Sequence, residues 1–240
     1  MNISPTNYSI STMTSTVYTN IPKINVDLIL ELYANDKIFQ EAPIEIGGIK
    51  RRFKNCVIVK IIFPSETKKQ RRVAVNIFNT GNFHVTGTRE NDEIVSVMNY
   101  LCDEFLKCGV IETSDLEIDI QTRLINSNFS LPLYNVDLHE LYNRFKKDHV
   151  AYFSKYNPNN HPGVQLKIPT TDNVDVSCFV FGTGSILITG SRNLDQLDYV
   201  YDFLVKYLDN NFKSFCHVKP PAEPKIPMKR GRKRKVIELM

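Results

Sequence analysis

No apolar stretch in this 240-residue chain approaches the roughly 18 residues of a membrane-spanning helix. The first residues, MNISPTNYSISTMTS, lack both a basic segment and an apolar core, so they do not read as a secretory signal. Cysteine is sparse: Cys56, Cys102, Cys108, Cys178 and Cys216 form no C-x-x-C pair. That pattern points to reduced intracellular thiols rather than to a disulfide framework or a zinc site. His84, His139, His149, His161 and His217 have no metal-ligand spacing, and G-x-S-x-G, P-loop and H-E-x-x-H motifs are absent. No catalytic centre, metal or cofactor is therefore expected, and the chain reads as a non-enzyme.

Hydrophobic residues make up 42% of the sequence, enough for a substantial core in one large or two small domains. Charge is unevenly placed. The net charge is +4, but the last twelve residues, KRGRKRKVIELM, hold six cations against Glu238. These are Lys229, Arg230, Arg232, Lys233, Arg234 and Lys235. Without them the net charge falls by five to about −1, so the basic character lies in the tail. A polyanionic partner follows from that cluster.

The chain also repeats itself. NIFNTGNFHVTGTR, starting at Asn76, returns as FVFGTGSILITGSR, starting at Phe179. Phe78, Thr80, Gly81, Thr86, Gly87 and Arg89 recur 103 positions later as Phe181, Thr183, Gly184, Thr189, Gly190 and Arg192. Ahead of each phrase lies a helical segment, INVDLILELY or YNVDLHELYNRF, with Asn25 and Asn135 as expected N-caps. Behind each lies a second amphipathic stripe. Ile94, Val97, Met98, Leu101 and Phe105 form one, starting near Asn91 and stopping at Gly109; Leu197, Val200, Tyr201, Leu204 and Leu208 form the other.

Between the helices each copy reads as four strands, near residues 43–48, 55–63, 71–78 and 82–87, then near 150–156, 162–169, 174–181 and 185–190. A leading strand, ISTMTSTVYTN or LEIDIQTRLINSN, opens each copy with half-buried alternation. The prediction is an α+β fold of two direct repeats, each strand–helix–four strands–helix, building one antiparallel sheet with its helices on one face. The boundaries fall at 1–7 (extension), 8–113 and 114–213 (repeats), and 214–240 (a disordered, Pro-spaced basic tail). A sheet with helices on one side leaves its other face bare.

With these residues in view, the sequence resembles the TATA-box-binding protein family over roughly residues 8–213. IFNTGNFHVTG and VFGTGSILITG are similar to that family's I-F-x-S-G-K-x-V-x-T-G strand pair, and SKYNPNNHPGVQLKI to its Y-x-P-x-x-F-P-G stirrup; STV at Ser15–Val17 matches the first strand. The likeness is to a divergent member, of the sort expected in a large DNA virus or a protist lineage.

The resemblance implies a saddle whose concave sheet bends A·T-rich double-stranded DNA from the minor groove and recruits initiation factors and RNA polymerase. The kink of about 80° is a property of that family and is not read from these residues. Phe78 and Phe181 match its intercalating wedges, with Phe53 and His161 at the second wedge positions. Taken singly, a strand-end Phe also suits core packing, and His161 also suits an ordinary loop. Thr12 and Thr122 stand where the family reads bases with asparagine, flanked by Thr14 and Leu124; His84, Thr86, Leu187 and Thr189 share the same face. Lys60, Arg89, Lys167 and Arg192 match phosphate-directed cations, whereas Asn82 and Ser185 replace the hairpin lysines.

The asparagine-rich stirrup departs from the acidic one that meets transcription factor IIB, leaving a factor IIB-like or a lineage-specific partner. The R-G-R core of the tail resembles an AT-hook, with a localisation signal or nonspecific DNA tether as the other reading. The implied location is the nucleus or, for a virus, a cytoplasmic replication site. A protein-interaction scaffold that kept the fold and lost DNA binding is the alternative function.

Overall fold

The computed structural model describes residues 4–39, 45–63, 71–113 and 115–220. In the first repeat, β1 (Ser9–Thr19) leads into α1 (Val26–Ala34), then β2 (Glu45–Phe53), β3 (Cys56–Phe63), β4 (Arg71–Phe78), β5 (Phe83–Thr88) and α2 (Asn91–Lys107). In the second, β6 (Ile118–Ser130) and the short β7 (Tyr134–Val136) precede α3 (Leu138–Asp148). Next come β8 (Ser154–Lys155), β9 (Gly163–Pro169), β10 (Asp175–Phe181), β11 (Ser185–Ser191) and α4 (Leu194–Asn210). Like β7, the elements that follow, α5 (Phe212–Phe215) and β12 (Cys216–Val218), lie outside the expected plan.

Among the described residues, ten strands form a single antiparallel sheet in the order β2-β3-β4-β5-β1-β6-β11-β10-β9-β8. The two leading strands lie side by side at its centre, and each repeat extends outward from them. Strand alternation sends one set of side chains up to the helices and the other down to an uncovered face. In β4, Val73, Val75 and Ile77 are wholly buried on the helix side; in β10, Val176, Cys178 and Val180 are their counterparts.

Each repeat has its own core. Ile94, Val97, Met98, Leu101 and Phe105 of α2 pack with Ile29 of α1 and the upper face of β3–β5. Leu197, Val200, Leu204 and Leu208 of α4 pack with Leu141 and Phe145 of α3 and the upper face of β9–β11. The leading strands tie the cores together: Met13 of β1 joins the second cluster, while Ile118 and Ile120 of β6 lean on the first.

The two turn glycines answer to close backbone approach. Gly81 and Gly184 have φ of +81° and +77°, and a Cβ on them would come within 1.9 Å of Ile21 O and 2.4 Å of Tyr134 O. Any side chain there would push apart the turn and the segment over it.

Asn25 caps α1, accepting from the Leu28 N–H at 3.1 Å. Asn135 does not cap α3: it lies in β7, and Asp137 instead accepts from the His139 and Glu140 amides, both at 3.0 Å. The reason is β12, whose pairing with β7 holds Tyr134–Val136 extended. The boundary expected at residue 213 therefore cuts through ordered structure. Phe215 is fully buried in the second core, and the Lys219 ammonium donates to Leu131 O and Pro132 O at 3.0 and 3.1 Å.

Candidate nucleic-acid interface

On the uncovered face the repeats match row by row. One row crosses β3, β4, β5, β1 and β6 as Lys60, Ala74, Thr86, Thr14 and Leu124. Its mate crosses β9, β10, β11, β6 and β1 as Lys167, Ser177, Thr189, Asn126 and Thr12. Each row begins at a lysine near an edge and ends at the centre. Thr86 and Lys60 are exposed; Lys167 and Thr189 are half-buried, with the Lys167 ammonium 5.6 Å from the Phe153 ring centroid.

The centre is built differently from the expectation. Thr12, Thr14 and Leu124 lie on the uncovered face, but Thr122 does not. It faces fully buried Ser15, with the two hydroxyls 3.5 Å apart, and lines a cavity on the helix side. The physical reason is a bulge: the β1–β6 register slips between Thr14 and Ser15, so Arg123 is the extra residue and Thr122 turns to the other face. The residue that takes the central position is Asn126. Its amide donates to Thr12 Oγ1 at 3.0 Å, and its carbonyl accepts from the Thr189 hydroxyl. Aligning the STV of β1 with the SNF of β6 would have found it, since that makes Asn126 the second-repeat equivalent of Thr14.

Arg89 and Arg192 are a second correction. They follow Thr88 and Ser191, which are fully buried at the strand ends, and the chain then rises into α2 and α4. The Arg89 and Arg192 amides donate to Glu93 and Gln196 side chains, each at 2.7 Å, closing the helix starts. Both arginines line a cavity of about 440 Å³ floored by Ile10, Met13 and Ile125 on the helix side. The phosphate contacts expected of them therefore do not belong to the uncovered face.

Aromatic clusters stand at the two ends. At the first-repeat end, Phe53 is 57% exposed beneath the Arg52 guanidinium, 5.5 Å from its ring centroid. Phe78 is half-buried and meets His84 edge-on at 4.9 Å. At the second-repeat end, exposed His161 lies 5.1 Å from Phe179 and 5.8 Å from Phe181. The Gly163 N–H donates to His161 Nδ1 at 3.1 Å, which orients the ring. Gly163 also makes room for Phe181, because a Cβ there would lie 3.0 Å from that ring. None of these aromatic residues belongs to either core cluster.

Besides Asn126, two further polar residues on this face escaped the sequence reading. Arg52 donates to Asn76 Oδ1 at 2.6 Å. Arg123 spans Thr16, Tyr18 and Gln121 at 3.2, 2.9 and 2.8 Å. Neither sits in the repeated phrase, so the repeat carried no signal for them. The basic tail, Lys229–Lys235, lies outside the described residues. Among the described residues no group of His, Cys, Asp and Glu is placed to hold a metal ion, and no helix is long and apolar enough to cross a membrane.

Comparison with known proteins gives this architecture a family. Residues 121–211 match the family model "Transcription factor TFIID (or TATA-binding protein, TBP)". A "TATA-box-binding protein-like" protein of Acanthamoeba polyphaga mimivirus is 30% identical over 68% of this chain, which spans only half of that protein's length. A "TATA-box-binding protein" of Sulfolobus acidocaldarius is 23% identical over 86% of this chain and 90% of its own length. The solved structure of "Methanococcus jannaschii TBP" superposes with a TM-score of 0.60 over 85% of this chain and 99% of that one. At 15% identity this last likeness concerns the fold. With two matched repeats on one ten-stranded sheet, the chain is a divergent TBP-like protein.

Proposed function

We propose that the uncovered face is a DNA-binding surface that enters the minor groove of double-stranded DNA, bends it, and serves transcription initiation. The observation that carries this reading is the pair of aromatic clusters, Phe53 with Phe78 and His161 with Phe179 and Phe181. They lie at opposite ends of one sheet face, outside both cores. Aromatic residues gathered on an exposed face, unlike a singly exposed ring, mark an interaction surface. Pushed between base steps at two points, such rings unstack and kink a duplex.

The remaining residues take roles between these ends. Thr12, Thr14, Thr86, Thr189 and Asn126 offer short hydrogen-bonding groups to the adenine N3 and thymine O2 acceptors of an A·T-rich groove. Leu124 and Leu187 give apolar contact to the groove floor. Lys60 and Lys167, one in each matched row, neutralise phosphates on the two sides. Tail cations add sequence-independent affinity through counterion release.

The mimivirus likeness supports a large DNA virus as the source, and hence a nuclear or cytoplasmic replication-site location. Partners would be RNA polymerase and a factor IIB-like or lineage-specific protein, with the asparagine-rich Tyr156–Gly163 loop favouring the latter. The test is displacement. Anisotropy of a labelled A·T-rich duplex with the full chain should fall to the free value on adding netropsin, a minor-groove ligand, and not on adding methyl green, which occupies the major groove. Displacement by methyl green alone would place the contact in the wrong groove.

A further inference from the structure

The two halves of the uncovered face share a frame but not a chemistry. In the first repeat the row next to the aromatic end runs Ile58, Asn76, His84, Thr16 and Gln121. Its mate in the second repeat runs Gln165, Phe179, Leu187, Asn128 and Ser9. Asn76 corresponds to Phe179 and His84 to Leu187, both across the 103-residue offset of the repeated phrase. At the positions nearest the aromatic ends, one half has a buried amide, covered by Arg52, beside an exposed imidazole, where the other has a phenyl ring and an isobutyl group.

The polar half is held in place by neighbours. Arg52 fixes Asn76 through its Oδ1, and Phe78 packs edge-on against the exposed His84 ring at 4.9 Å. No hydrogen bond among the described residues occupies the His84 ring nitrogens. Desolvation of the partly covered ring first, then the charges of Arg123 and Arg52, lower the imidazole pKa from its ordinary value. The ring is therefore neutral near pH 7, with one nitrogen free to accept.

In the minor groove an A·T pair shows only acceptors, whereas a G·C pair adds the guanine N2 amino donor. A leucine or phenylalanine facing that amino group leaves it desolvated and unpaired. A neutral imidazole accepts from it. Resting on the minor-groove reading above, we infer that the site is bipartite: the half under the first repeat accommodates a G·C pair read by His84, while the half under the second repeat demands A·T. His84 is thus a specificity-determining residue, and its chemistry gives a nearly two-fold protein a preferred direction on DNA.

The experiment measures anisotropy with the full chain on three duplexes: A·T throughout, G·C in one half, and G·C in both halves. The one-half duplex should bind at least as tightly as the A·T duplex, because the protein can choose the orientation that puts His84 over guanine. The both-halves duplex should bind about tenfold more weakly, the scale of one mismatched pair. Replacing guanine by inosine, which lacks only the N2 amino group, should remove the effects of guanine in both duplexes. His84→Leu should weaken the one-half duplex about tenfold relative to the A·T duplex; His84→Gln, which keeps an acceptor, should retain the wild-type ranking. The inference is overturned if each G·C half costs the same, or if His84→Leu leaves the ranking unchanged, while DNA binding itself stands. Failure to bind any duplex overturns the minor-groove reading and this inference together.

Discussion

Asn126 of β6 donates its amide to Thr12 of β1 at 3.0 Å, across the seam between the two repeats. The same side chain accepts from the Thr189 hydroxyl, so one asparagine orders the centre of the uncovered face. Asn126→Ala should weaken DNA binding about tenfold, the scale of losing one base interaction. Thr122→Ala, on the opposite face of the sheet, should leave affinity within about twofold, as expected of a change outside the binding surface. Titrations of both variants against one duplex check the bulge directly: equal losses would mean that Thr122 faces the DNA after all.

If Phe78 and Phe181 are wedges as proposed, stability and function should separate. Phe83 is wholly buried, and Phe83→Ala should cost about 3–5 kcal/mol. Phe78 and Phe181 are half-buried and outside both cores, so their alanine variants should each cost clearly less than that. Of the two, Phe181→Ala should impair DNA bending more, because its neighbour at the second wedge position is His161, a smaller and better-hydrated ring than Phe53. Thermal melts and bending assays on the same preparations supply both readouts.

Glu93 sets a pH dependence. Burial raises its pKa, but hydrogen bonds from the Arg71 side chain and the Arg89 amide more than offset this, and the carboxyl ends below its ordinary value. A depressed carboxylate contributes stability that is present above its unfolded pKa, about 4, and is lost as pH falls through the folded value. Glu93→Gln should therefore destabilise by roughly 1–3 kcal/mol at pH 7 and by much less at pH 3. Denaturant melts at the two pH values decide it, and a cost that does not shrink in acid would refute the assignment.

The tail should act through phosphates alone. Truncation after Pro220 removes the cluster of six cations at Lys229–Lys235 and keeps the anchored residues through Lys219. For every phosphate the tail no longer neutralises, the slope of log K against log salt should flatten by roughly 0.9. Sequence preference should survive. Preference that disappears with the tail would make the tail, and not the sheet, the reader.

How much of the molecule is legible in its sequence depends on where the repeat is strong. The phrase around Phe78 and Phe181 places two turns, four strands and both aromatic positions, because turn glycines under close backbone approach tolerate little drift. The leading strands are harder. A single extra residue, Arg123, flips a side chain across the sheet, so simple alternation puts Thr122 on the wrong face and overlooks Asn126. Arg89 and Arg192 are misplaced because a residue just past a strand end follows the turn into the helix, not the strand's alternation. β12 has no sequence signal of comparable strength: three residues of strand are below what periodicity resolves, and their pairing is long-range. The Asp137 cap does have a signal, an aspartate followed three residues later by Glu140, which the Asn-Val-Asp-Leu match between the repeats draws attention away from.

Bending is the central claim, and end-to-end energy transfer on a doubly labelled A·T-rich duplex measures it most directly. Saturation with the full chain should raise the transfer efficiency well above that of the free duplex, and the combined Phe78→Ala and Phe181→Ala variant should return it most of the way while still binding. Saturated DNA whose ends stay as far apart as in the free duplex would contradict the account.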